Sequence, residues 1–181
     1  MEQESDLQGI PELPFDELFS GEIPDIHSQA STLTLDEIDR RVEYLANHGV
    51  EITHEGKWIN SGFRSKDGRL VMNLPNASPA AKLHELIHAQ HMLEAKKAGA
   101  RTEEITACPP YQKALDEVIS SSAAIAFLER TGGTKREIQE DQINIELSLK
   151  QLKDHGIEDL LQHFKVDSIH AITVNPYLWR P

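Results

Sequence analysis

From Thr34 onward the apolar positions of the chain recur with helical spacing. Leu35, Ile38, Val42 and Leu45 share one face, Thr34 with Glu37 three residues later makes a capping box, and Gly49 ends the run. This predicts a first helix over 34–48. Between Val50 and Leu74 the period shortens: Val50 and Ile52, Trp58 and Ile59, then Leu70, Val71 and Met72, separated by Gly56, Gly62 and an Asp67-Gly68 turn signal. Such runs predict a small antiparallel sheet. Ser78 is the expected N-cap of a second helix, with Pro79 at its first position and Gly99 at its end. Pro109-Pro110 opens a third, through Ala114, Leu115, Val118, Ile119 and an alanine-rich stretch, which stops at Gly132-Gly133. Thr134 with Glu137 caps a fourth that Gly156 closes. Ile157 to Phe164 reads as one more short helix, and the end near Trp179 is apolar enough to dock. The expected class is α+β: a small antiparallel sheet packed on a helical core.

The first 31 residues break this pattern. They are acidic, punctuated by Pro11, Pro14 and Pro24, and poor in periodic apolar residues, which predicts a disordered arm ahead of a single domain over 32–181. Leu13, Phe15, Leu18 and Phe19 form its one apolar island, able to meet a partner or a cleft.

Charge sharpens that division. The net charge is -12, yet all 18 Lys and Arg follow residue 39, together with 19 of the 30 acids, so the folded part is near neutral. No stretch clusters the cations that phosphate contacts require, which argues against a nucleic-acid partner. No apolar run approaches the roughly 20 residues of a membrane span. Cys108 is the only cysteine, so neither an internal disulfide nor a thiolate metal cluster can form. The N-terminus has no positive segment followed by an apolar one, so the expected location is cytoplasmic, with export by a specialised secretion machine as the alternative.

The residues that carry chemistry lie on the second predicted helix, in His84-Glu85-Leu86-Ile87-His88. Positions four apart in an α-helix share a face, so His84 and His88 can present two imidazoles to one ion. Glu85 projects about 100° around the helix from His84 and can reach a metal-bound water as a general base. Zn2+ in such a site lowers the pKa of its water and polarises a carbonyl, while the glutamate moves the proton to the leaving amine. Leu83, Leu86 and Ile87 are apolar, as a helix set into a core requires. A catalytic zinc keeps three protein ligands and one open position, so a third ligand must come from elsewhere. Glu117, early in the third predicted helix, is the leading candidate, with Glu129 and Glu94 behind it. His91 follows His84 by seven residues and is placed to line the cleft. Tyr111, His170 and Tyr177 are the residues to test as donors to an oxyanion.

With its HExxH helix followed by Asp116-Glu117-Val118-Ile119-Ser120-Ser121, the chain resembles the gluzincins, the thermolysin-like branch of the zincin metallopeptidases. The resemblance covers residues 81–124. It implies a zincin-like core, His84, His88 and Glu117 as zinc ligands, Glu85 as the catalytic glutamate, and a protein substrate cleaved at peptide bonds. Two positions depart from that pattern. Asp116 stands where Asn is frequent, and Ser121 stands where an Asp often orients the first histidine. Small zincin effectors injected by bacteria into host cells are similar in size and in a HELIHA-type helix. ImmA/IrrE-like regulatory peptidases also pair HExxH with a glutamate helix. The contrasting expectation is a non-catalytic module, with a structural metal or none, that binds a protein through the acidic arm.

Overall fold

The structure, a computed structural model, describes residues 33–47, 49–56, 62–66, 69–156 and 176–177. The expected arm over 1–31, the Asp67-Gly68 turn, the 157–164 helix, His170 and the Trp179 end all lie outside the described residues. Eight elements follow in chain order: α1 (Leu35–Asn47), β1 (Val50–Thr53), β2 (Gly62–Lys66), β3 (Arg69–Asn73), α2 (Pro79–Lys97), α3 (Thr102–Thr106), α4 (Pro110–Thr131) and α5 (Lys135–Asp154). The described residues are thus α+β, with helices dominating.

The sheet differs from the expected antiparallel one. Its order is β1-β3-β2, with β2 antiparallel to β3 (Phe63 opposite Met72) but β1 parallel to β3, Val50 facing Leu70 and Ile52 facing Met72. Apolar runs predict that strands exist without fixing their direction, and here β2 reverses the chain so that β3 enters between the other two. The central position explains why Leu70, Val71 and Met72 are all buried, on both faces. Asn73 ties the end of the sheet together. Its Oδ1 accepts from Thr53 Oγ1 at 2.9 Å and from the Glu55 backbone at 3.0 Å, and its Nδ2 donates to Glu55 O.

Helix starts follow local chemistry. Thr34 and Glu37 form the reciprocal cap of α1, and Thr134 and Glu137 that of α5, with the Glu137 amide donating to Thr134 Oγ1 at 3.2 Å. Ser78 Oγ accepts from Ala81 N at 3.2 Å, with Pro79 opening α2. The short α3 gives no periodic signal, because five residues are too few to show a helical period; Ile105 on it is buried.

The core lies between α1 (Ile38, Leu45), β3 and the long helices, where Leu83, Leu86, Ile87, Leu115, Ile119 and Leu152 are almost fully buried. α2 is enclosed nearly all round, as its Ala, Leu and Ile content permits. Ser120, Ser121, Ala123 and Ala124 on α4 are buried and small, so α4 packs closely on α2. α4 and α5 form the most extensively packed pair of elements. Their connection turns at Gly132, whose φ of 77° is left-handed backbone that glycine adopts without strain. Among the described residues no helix is long and apolar enough to cross a membrane.

Candidate functional site

The cap at Ser78 and the burial of Leu83, Leu86 and Ile87 fix the rotation of α2, which turns His84 and His88 toward α4. The two rings stand edge to face with centroids 4.7 Å apart, and their Nε2 atoms are separated by 2.9 Å. Glu117 reaches across from α4. Its Oε2 lies 3.3 Å from His84 Nε2 and its Oε1 3.4 Å from His88 Nε2. One donor atom from each of the three residues falls within 4.8 Å of the others. Ligand atoms about 2.0–2.1 Å from a tetrahedral zinc are roughly 3.3 Å from one another, so the triangle has the dimensions of such a site.

The opposite edges of the rings determine what these atoms are. His88 Nδ1 is 2.6 Å from Asp116 Oδ2, and His84 Nδ1 is 3.6 Å from Asp141 Oδ1 on α5. An ionised carboxylate only accepts, so His88 carries a proton on Nδ1, and the same charge favours that tautomer in His84. In neutral rings both Nε2 lone pairs then point inward, toward each other and toward the Glu117 oxygens. Four acceptor atoms at such distances repel unless a positive charge sits among them, either protons on the imidazoles or one shared cation.

The charges around these groups make the same demand. Burial works to lower the His84 imidazole, but Asp141 and Glu117 outweigh it and raise it to about 9. Burial likewise opposes charge on His88, and Asp116 with Glu117 drives it well above the ordinary value. Burial also penalises the Glu117 carboxylate, yet its contacts with His84 and His88 hold it well below the usual range.

Glu85 is 4 % exposed and its Oε2 finds no hydrogen-bond partner among the described residues. Burial pushes its carboxyl above the usual range, against the pull of His88 and His84. It lines, with His84, His88 and Glu117, a cleft of about 1070 Å³ whose far wall includes Ile143 and Leu147 of α5.

Other residues singled out by sequence fall differently. His91 does not line the cleft. It is buried, and its Nδ1 lies 2.5 Å from Asp116 Oδ1. Glu94 accepts from Gln90 Nε2 at 2.7 Å, and Glu129 is exposed, so neither joins the donor cluster. Tyr111 packs on the flank of the core. Tyr177 does line the cleft, with its hydroxyl donating to Asp116 Oδ2 at 2.7 Å. Burial and the Asp116 carboxylate raise that phenol far above its ordinary range. Asp116 therefore accepts from three side chains. Ser121, at the position where the resemblance leads one to expect an orienting Asp, is buried, and its Oγ has no partner among the described residues.

Asp141 is the residue of the site that sequence reasoning missed. It sits among Glu140, Gln142 and other polar residues of an ordinary amphipathic helix, and only the packing of α5 on α4 brings it to His84.

No protein-family model, curated protein or solved structure matches the chain.

Proposed function

We propose that the chain is a zinc-dependent peptidase in which His84, His88 and Glu117 hold the metal and Glu85 is the general base. The observation that carries this reading is the convergence of both Nε2 atoms and the Glu117 carboxylate at 2.9–3.4 Å, with each Nδ1 turned to a carboxylate. Two imidazoles and one carboxylate form the three-ligand set of catalytic zinc, which leaves a fourth position open. When bound there, zinc supplies an acidified water and a polarised substrate carbonyl.

The chain's own residues do the rest. Glu85 is buried beside the cluster with Oε2 unpartnered, so it is placed to take a proton from the attacking water. A carboxylate whose pKa is raised by burial is a stronger base, so Glu85 holds the proton it takes until the leaving amine nitrogen, a stronger base still, accepts it. Asp116 holds the His88 ring so that Nε2, not Nδ1, faces inward. A cleft of about 1070 Å³ is slightly larger than the roughly 300–1,000 Å³ typical of small-molecule pockets, which suits a substrate entering with several residues, as a protein does.

The test is zinc content by elemental analysis together with digestion of a peptide library read by mass spectrometry. The wild type should carry one equivalent of zinc and cleave. Glu85→Gln should keep the zinc and lose about 10²–10⁴-fold in rate. Cleavage undiminished in Glu85→Gln sinks the mechanism. Zinc bound without any hydrolysis leaves a binding module instead.

A further inference from the structure

We infer that Asp141, on α5, is a positioning residue for His84, supplying from a separate helix the orienting carboxylate that Ser121 does not provide. The inference rests on the zinc reading above and goes beyond it by recruiting α5 into the site.

Three features of the site support this role. First, Asp141 Oδ1 approaches Nδ1 of His84, the edge of the ring opposite Nε2, so it faces away from the donor triangle and is not a fourth ligand. Second, His88 Nδ1 has a close carboxylate in Asp116, whereas among the described residues the carboxylate of α4 that meets His84, Glu117, lies at Nε2, and Ser121 Oγ has no partner. Third, the Asp141 side chain is only 16 % exposed although its helix is mostly solvent-facing, so it is turned into the cleft wall and not into water.

The 3.6 Å separation is longer than a hydrogen bond, whose N···O limit is about 3.2 Å. The terminal torsion of an aspartate is broad, so a small rotation of the carboxylate closes that gap without leaving a favoured rotamer. A carboxylate behind a ligating imidazole fixes its tautomer, aims its lone pair and raises its basicity. Here it also ties the geometry of the α2 site to the seating of α5 on α4. The close approach of Gly133 to Leu128 and the Thr134–Glu137 cap set that seating, and Asp141 lies four residues beyond Glu137.

The test uses the full chain and measures zinc affinity by competition with a chromophoric chelator, along with the visible spectrum of the cobalt(II)-substituted protein. Asp141→Leu should weaken zinc binding about 10–100-fold, while Asp141→Asn, which keeps an acceptor for Nδ1–H but no charge, should lose less. Both should shift the cobalt spectrum, whereas Glu146→Gln, exposed on the same helix, should change neither readout. Melting of the chelator-stripped variants reports any loss of fold separately, and Asp141→Asn, nearly isosteric, keeps the test open if the Leu variant unfolds. Tight zinc binding by the wild type with unchanged affinity and spectrum in the variants overturns the role of Asp141 alone. Failure of the wild type to take up zinc overturns the zinc reading and this inference together.

Discussion

His88 Nδ1 and Asp116 Oδ2 lie 2.6 Å apart inside the protein, and the same carboxylate also accepts from His91 and Tyr177. Asp116 is 1 % exposed, so its charge is tolerable only because three donors surround it. Burial pushes its carboxyl upward, and His88 and His91 overcome that to hold it far below the usual range. Asp116→Ala leaves those donors facing an apolar gap. We expect a loss of about 3–5 kcal/mol in chemical denaturation, the range for removing one partner of a buried ion pair. We also expect zinc affinity to fall by about tenfold or more. A loss under about 1 kcal/mol with unchanged zinc binding would show that the network is ornamental to both.

The stability of the chelator-stripped protein should depend on pH in a particular window. His84 has a folded pKa of about 9 against an unfolded value near 6.5, so its contribution is fully present below about pH 6.5 and is lost as pH rises through about 9. Asp116 and Glu117 are depressed, so their contribution is present above about pH 4 and is lost as pH falls below the ordinary carboxylate range. Thermal melting should therefore be highest near pH 5–6.5 and decline toward pH 9, with a loss on the order of 3 kcal/mol from His84. Saturating zinc should flatten the alkaline decline, because the metal replaces the protons. A melting temperature constant from pH 6.5 to 9 in the stripped protein would show that His84 gains no proton affinity from Asp141 and Glu117.

How much of this was legible in the sequence follows from which interactions are local. The caps at Thr34–Glu37, Ser78 and Thr134–Glu137 depend on residues three apart, and they set helix starts within a residue. His84 and His88 share a face through the helical period, and Glu117 was reachable because α4 begins at a proline pair and packs back on α2. Strand direction was not legible. Val50, Ile52, Leu70 and Met72 read the same in either pairing, and the order β1-β3-β2 depends on where β2 goes. Asp141 was hidden for a related reason, since its partner lies on another helix and its neighbours look like any solvated face. His91 was misread because a position on the same stripe as His84 says nothing of what covers it, and Asp116 does.

The α4–α5 connection offers a test that separates fold from site. Two adjacent glycines make that turn for different reasons. Gly132 has φ 77° with open space where a Cβ would be, so Gly132→Ala meets only backbone strain, about 1–2 kcal/mol. At Gly133 a Cβ would overlap Leu128 Cδ2 and lie 2.8 Å from Leu128 Cβ. Leu128 is 4 % exposed in the core, and although its terminal methyl can rotate, its Cβ is fixed by the helix backbone. Gly133→Ala must therefore push the start of α5 away from α4, at about 1–3 kcal/mol. Because Asp141 rides on α5, that displacement should also draw it from His84 and weaken zinc binding several-fold. Gly132→Ala should lower the melting temperature while leaving zinc affinity as it was. Equal zinc affinity in the two variants would show that the seating of α5 does not reach the metal ligands.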